Sequence, residues 1–245
     1  ATREYVKPTP VEVFEPVKDK AVEWFKTRGI SPASLRDLNV TTGEEYMPQT
    51  GQKENTIQFN YIMGDELINI KYRDGRKNFK LYKGAEKIFY NINSIVGYDW
   101  CVITEGEMDA LALHEAGIKN VISVPNGATL NSNNLDYLDN CIDYFEDKEK
   151  IILAVDADEA GQALRYEFIR RLGAEVCYLV DFNGNKDAND FLIEHGAEEL
   201  RKVITSATQV PLEGVSTLRD LEADLLDFVH NGFKPGYQDG LENFD

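Results

Sequence analysis

From residue 99 onward the chain alternates short apolar runs with amphipathic segments, and this alternation is the feature that most restricts its fold. The apolar runs, four or five residues each, lie at 101–104, 121–124, 151–155 and 176–180. Predicted helices follow these runs at 107–116, 134–145, 160–172 and 187–194. Short apolar strands separated by helices are typical of a mostly parallel sheet with helices on both faces. The sequence therefore predicts an α/β domain over residues 99–205.

The first 98 residues follow a different pattern. Three predicted strands, with Gly-Asp and Asp-Gly turns between them that indicate an antiparallel meander, lie at 56–62, 67–73 and 78–82. Two helices are predicted before the meander, one over 18–29 and a short one that Ser31 caps, with Pro32 at its first position. We expect a small mixed α+β subdomain over residues 1–98.

Carboxylates follow three of the predicted parallel strands directly. Ligands bind outside the carboxyl ends of the strands in open α/β sheets. The acids placed there are Glu105, Glu107, Asp109, Asp156, Asp158 and Asp187. Carboxylates brought within about 5 Å repel one another unless a cation lies among them, and hard oxygen ligands suit Mg²⁺ or Mn²⁺. Taken singly, these acids also fit the first turns and N-caps of the helices that follow, and that alternative stays open.

The charge is divided unevenly along the chain. The net charge is −17, yet residues 1–100 hold 15 bases and 14 acids, whereas residues 101–245 hold 11 bases and 29 acids. Within residues 71–87 only Asp74 and Glu86 oppose seven bases. The basic residues are Lys71, Arg73, Arg76, Lys77, Lys80, Lys83 and Lys87. This local excess indicates either a groove for a polyanion or a solvated hairpin.

The three cysteines and three histidines exclude some classes of protein. Cys101, Cys141 and Cys177 lie far apart, which argues against a zinc ribbon and against a disulfide scaffold. The histidines show no metal-ligand spacing, and no stretch approaches the ~20 apolar residues that span a bilayer. We expect a cytoplasmic protein that binds no zinc and no membrane. A mitochondrial location is less favoured.

Three segments, EGEMDAL at 105–111, DADEAGQ at 156–162 and KDANDFL at 186–192, together resemble the Toprim domain in sequence and order. That domain is shared by primases, topoisomerases and some nucleases. Upstream, KYRDGRKNFKLY at 71–82 resembles the basic motif of primase–helicases of the bacteriophage and mitochondrial Twinkle type. The resemblance covers residues 55–195 and implies a Toprim-like sheet.

The resemblance also implies roles for individual residues. Glu105, Asp156 and Asp158, whose own motifs contain no lysine, would be the catalytic, metal-binding acids, and the supporting metal-binding acids would be Glu107, Asp109 and Asp187. The groups that hold nucleotide phosphates or the template strand would be Lys71, Arg73, Lys77, Lys80, Lys186, Asn126 and Gly127. The implied activity is synthesis of short RNA primers from NTPs on single-stranded DNA, with Mg²⁺ or Mn²⁺.

The chain departs from that group in what it lacks. No Cys/His set could form the zinc module that reads the template, and no GxxxxGK[ST] motif of a helicase motor is present. We expect both ends to be cuts in a longer polypeptide. Residues 206–245 would be a linker, 206–216, and an amphipathic helix, 217–230, which leads to the helicase domain and contacts neighbouring subunits. A Toprim nuclease and a non-catalytic, Twinkle-like DNA-binding scaffold are the alternatives.

Overall fold

A computed structural model describes residues 4–9, 17–126 and 135–211 of the chain. Residues 1–210 belong to one compact unit, and residues 211–245 to a second. The helices are α1 Asp19–Thr27, α2 Pro32–Asp37, α3 Glu107–Glu115, α4 Asp136–Asp139, α5 Glu159–Leu172 and α6 Ala188–Thr205. The strands are β1 Val40–Met47, β2 Gln52–Met63, β3 Glu66–Asp74, β4 Phe79–Leu81, β5 Trp100–Thr104, β6 Val121–Ser123, β7 Lys150–Ala154, β8 Cys177–Leu179 and β9 Thr208–Gln209. Gly127 and the predicted helix at 217–230 lie outside the described residues.

The N-terminal sheet is antiparallel, with strand order β1-β2-β3-β4. The predicted meander is confirmed, and it carries one more strand than the sequence pattern indicated, because β1 is polar and contains Gly43. Asp74 holds the turn between β3 and β4 through its side chain, which accepts hydrogen bonds from the amides of Arg76 and Asn78. Burial raises the pKa of Asp74, but these hydrogen bonds outweigh it and hold the pKa below its usual value.

The second sheet has strand order β6-β5-β7-β8-β9. β5, β6, β7 and β8 run parallel, and β9 joins the edge in the antiparallel sense. The α/β fold class with a mostly parallel sheet is therefore confirmed. The carboxyl ends of β5, β7 and β8 meet at one edge, so the segments that follow Thr104, Ala154 and Leu179 face the same side of the sheet.

Tyr90 joins the two sheets and so fixes how they face each other. Its backbone forms an isolated antiparallel bridge with Ser123 of β6, and its hydroxyl donates to the Leu38 carbonyl. Its ring lies 5.8 Å from that of Phe59 and 5.2 Å from that of Tyr61, both on β2. One apolar core runs from Phe25 through both sheets to α6. The division predicted at residue 98 stays a prediction, because both sheets share this core.

Three local predictions differ from the structure. The helix predicted over 134–145 is replaced by α4 and a 3₁₀ turn at Ile142–Phe145, because the backbone leaves the helical region at Cys141, whose φ is −121°. The helix predicted over 187–194 extends to Thr205 with a kink at Gly196, whose φ is 84°. β9 lies inside the predicted linker.

In the part of the chain that the structure describes, no helix has both the length and the apolar character needed to cross a membrane.

Candidate active site

The two sheets enclose a cleft of about 710 Å³ at the carboxyl edge of the parallel sheet. The acids that line it are Glu105, Glu107, Asp109, Asp156, Asp187 and Asp190. The bases that line it are Arg28, Lys71, Arg73, Lys77, Lys80 and Lys186. The charges of the described lining residues therefore balance, although the whole chain carries −17. Two acidic strand ends and the start of α6 form one wall, and the meander forms the other.

Electrostatic repulsion identifies the centre of the acidic wall. Burial, followed by the charge of Asp187, raises the pKa of Asp109 well above its usual value. The pKa of Asp156 is raised from 3.8 to about 6, first by burial and then by the charge of Glu105, with Lys186 opposing the shift. These four carboxylates act on one another electrostatically, although they come from three separate segments of the chain.

Close backbone packing positions these carboxylates. A Cβ atom on Gly161 would lie 2.2 Å from the Asp156 carbonyl oxygen, so only glycine lets α5 begin so near the end of β7. Asp187 caps α6, with its Oδ1 accepting from the Asp190 amide at 2.8 Å. The amide of Asn189, one residue earlier in the same turn, donates to Asp109 Oδ1 at 3.1 Å and so ties the start of α6 to α3.

The Asp158 side chain caps the N-terminus of α5. Its Oδ1 accepts a hydrogen bond of 2.9 Å from the Gly161 amide, which makes it the N-cap of α5. It does not belong to the described residues that line the cleft. Its assignment as a metal ligand stays a prediction.

Lys71 and Glu107, for which separate phosphate and metal roles were predicted, contact each other, and those roles stay predictions. The Lys71 Nζ donates to both carboxylate oxygens of Glu107 at 2.8 and 2.9 Å, and the Tyr61 hydroxyl donates to the same carboxylate. The side chains of Lys71 and Glu107 are only 11% and 4% exposed. This buried pair connects β3 to the first turn of α3 and neutralises both charges at the base of the cleft.

The remaining predicted bases differ in how available they are. Lys77 is exposed at the rim, and the Lys80 Nζ donates to Glu45 at 2.7 Å. The Lys186 Nζ lies 3.4 Å from Asp156 Oδ2, so a lysine from the separate KDANDFL segment approaches the acids. Asn126 lies at the rim of the cleft. Lys77 is therefore the predicted base most open to a ligand from solvent.

Aromatic residues that the sequence analysis did not select lie between the bases. The Arg73 guanidinium lies over the Trp24 ring at 4.5 Å and at 5.9 Å from the centre of the exposed Phe79 ring. Arg28 follows Trp24 by four residues, about one helical turn, and its guanidinium lies 5.8 Å from the centre of the Trp24 ring. Alternating guanidinium groups and rings suit nucleotide bases and phosphates. In the sequence, the four-residue spacing of Trp24 and Arg28 is the only sign of this alternation of rings and guanidinium groups.

The donor set suits a hard divalent cation. It consists of carboxylate oxygens, and burial together with neighbouring carboxylates raises the pKa values of two of these groups, Asp109 and Asp156. A bound cation would relieve that repulsion. Across residues 4–9, 17–126 and 135–211, no three His, Cys, Asp or Glu side chains are close enough to form a complete metal cluster. Metal binding would therefore require these side chains to move together or a substrate phosphate to complete the coordination.

Comparison with known proteins places this geometry in a family. The Toprim-like family matches residues 102–192, which include Glu105, Asp156, Asp158 and Asp187. The chain is 35% identical over 217 residues to the primase homolog protein of Arabidopsis thaliana, covering 82% of this chain and 63% of that protein. It is 32% identical over 251 residues to the Twinkle homolog protein, chloroplastic/mitochondrial, of the same organism, covering 95% and 35%.

A solved structure with the same architecture is the primase fragment of the bacteriophage T7 primase-helicase protein. Its TM-score is 0.64 at 24% identity, over 83% of each chain, which shows likeness of fold. The predicted relationship of this Toprim-like chain to primases of the phage and Twinkle kind is confirmed. The chain spans 63% and 35% of the length of the two Arabidopsis relatives.

Proposed function

We propose that this chain is the RNA-polymerase portion of a DNA primase, a nucleotidyltransferase that joins NTPs into short primers on single-stranded DNA during replication. The observation that carries the proposal is the cleft itself, in which carboxylates that repel one another face a wall of cationic and aromatic side chains. The names of the relatives support it. In this reaction the 3′-oxygen of the growing strand bonds to the α-phosphorus, and pyrophosphate leaves with the electron pair.

Glu105, Asp156 and Asp187 would hold Mg²⁺ or Mn²⁺, with Asp109 behind them and Asp158 as a predicted further ligand. A bound ion would supply charge neutralisation for the phosphates and polarise their oxygens. Until it binds, Lys186 balances part of the charge of Asp156. The buried pair of Lys71 and Glu107 holds the meander against α3 and so fixes the width of the cleft.

The basic wall would bind the polyanionic reactants. Lys77 at the rim would contact phosphates as a point charge, whereas the planar Arg73 guanidinium, held against Trp24, can bind an oxyanion through two parallel hydrogen bonds. Phe79 offers an exposed ring on which a base could stack. The NTPs and the template strand would thus lie between this wall and the acids.

We also propose partners beyond this chain. One relative is named a Twinkle homolog and one structural neighbour is part of a primase-helicase, so a helicase domain in the same polypeptide fits this chain. Contact with neighbouring subunits through residues 217–230 and a cytoplasmic location are further proposals from the sequence.

The test is to incubate the chain with NTPs, single-stranded DNA and Mg²⁺ or Mn²⁺, and to resolve labelled products on a denaturing gel. We expect short oligoribonucleotides from the wild type, none from Asp156→Asn, and wild-type amounts from Glu167→Gln, which alters an acid on α5 that pairs with Arg170 outside the cleft. Shortened DNA in place of RNA would indicate a nuclease and contradict the proposal.

A DNA-binding segment without catalysis is the second candidate. The observation that favours it is that two of the predicted phosphate-binding lysines, Lys71 and Lys80, are already paired with Glu107 and Glu45. Binding of single-stranded DNA without RNA synthesis, at every metal concentration tested, would select this candidate.

A further inference from the structure

A second cavity, of about 430 Å³, lies next to the active-site cleft, between the start of α5 and the residues that follow β8. Lys186 lines both cavities, so they share a wall. The other polar side chains of its lining include Arg165, Gln162, Asp181 and Thr208. Asp181 is directed at its own turn, where its Oδ1 accepts from the Asn183 amide at 2.8 Å.

Arg165 has no counter-charge in the part of the chain that the structure describes. Its Nε is buried and donates no hydrogen bond to any described residue. Burial lowers its pKa, and no neighbouring acid offsets that effect. In contrast, Arg170 and Arg171 on the same helix pair with Glu167 and Asp139. The Arg165 residue as a whole is only partly buried and lines the cavity, so an oxyanion there would give its guanidinium group a counter-charge.

We propose that Arg165 and Lys186 form a phosphate subsite that receives pyrophosphate released in the adjacent cleft. This subsite depends on the proposed function, because primer synthesis would be the source of the pyrophosphate. A guanidinium group binds phosphate oxygens through two parallel hydrogen bonds, and Lys186 at the shared wall can contact an anion on either side. In a chain of net charge −17, an anion stays only where local cations hold it.

A phosphate group could also come from the backbone of a bound DNA strand. We propose pyrophosphate rather than a DNA phosphate, because the shared wall places the cavity directly beside the acids where the leaving group would form. The test therefore measures sodium pyrophosphate and a short single-stranded oligodeoxynucleotide separately, by titration calorimetry on the full chain without NTPs.

We expect Arg165→Gln to weaken pyrophosphate binding about tenfold, as the loss of one charge-assisted contact does, and to leave oligodeoxynucleotide binding unchanged. Arg165→Lys should retain part of the affinity, and circular dichroism of both variants checks that they fold. The matched control, Arg170→Gln, removes an exposed charge from the same helix and should bind pyrophosphate like the wild type.

Wild-type pyrophosphate affinity in a folded Arg165→Gln variant would overturn the subsite. So would a loss of oligodeoxynucleotide affinity with unchanged pyrophosphate affinity, which would assign Arg165 to the strand. The binding assay needs no turnover. A chain that makes no RNA but loses pyrophosphate binding in Arg165→Gln would therefore refute the proposed function and leave the phosphate subsite standing.

Discussion

Replacing Asp156 with Asn should stabilise the metal-free protein, because burial and a neighbouring negative charge disfavour the ionised carboxylate of the wild type. Its pKa is raised from 3.8 to about 6, by burial first and by Glu105 next. The folded state therefore binds this proton more tightly than the unfolded chain does. Wild-type stability falls as the pH rises from about 4 to about 6, and the loss is complete above that window.

The size of the effect follows from the shift in pKa. A shift of about two units corresponds to about 3 kcal/mol at neutral pH and above. The attraction of Lys186 is already part of this shift, because it lowers the pKa that burial and Glu105 raise. We expect a gain of about 3 kcal/mol at pH 8, or roughly 6–12 °C in melting temperature.

Urea unfolding in EDTA, followed by fluorescence at pH 8 and at pH 4, measures the gain. Most of it should be lost at pH 4, where the carboxyl group is protonated in the folded state and about 40% protonated in the unfolded chain. Glu167→Gln, on α5 outside the cleft, is the control and should not be stabilised. An Asp156→Asn variant no more stable than the wild type at pH 8, or equally stabilised at both pH values, would refute the reasoning.

Three further predictions concern the metal and the basic wall. Mg²⁺ at about 100 times its Kd should stabilise the wild type by ~2.7 kcal/mol in thermal melts, and an equal shift in Asp156→Asn would argue against the site. Lys77→Gln should weaken binding of single-stranded DNA and reduce its salt dependence, whereas Lys53→Gln, an exposed lysine outside the cleft, should change neither in a fluorescence anisotropy assay. Lys71→Met should destabilise the fold by about 3–5 kcal/mol in urea unfolding, since it leaves the Glu107 carboxylate buried without its cation, and adding Glu107→Gln should restore most of the loss.

The strand ends and their acids could be predicted from the sequence because both depend on local pattern. The period of apolar residues identified β5, β7 and β8, and their parallel arrangement brings Glu105, Asp156 and Asp187 to the same edge. The caps of α2 and α6 were equally local, since Ser31 and Asp187 each accept an amide from three residues further along.

The rest of the site depends on contacts between distant residues. Lys71 and Glu107 are 36 residues apart, and nothing in either motif indicates that they neutralise each other. The aromatic wall arises because α1 packs beside β3 and brings Trp24 to Arg73. Asn140, directly after α4, donates its side-chain amide to the Lys87 carbonyl, a contact that no helical periodicity encodes.

The most direct test of metal-dependent RNA synthesis in this cleft is the initial rate of synthesis measured against the concentration of Mn²⁺ or Mg²⁺. The wild type should be inactive in EDTA and should saturate with metal, and Asp156→Asn should make no RNA at any metal concentration, since a carboxylate ligand has been removed. Synthesis that proceeds at the wild-type rate in Asp156→Asn, with the same dependence on metal, would contradict the assignment of the acidic wall.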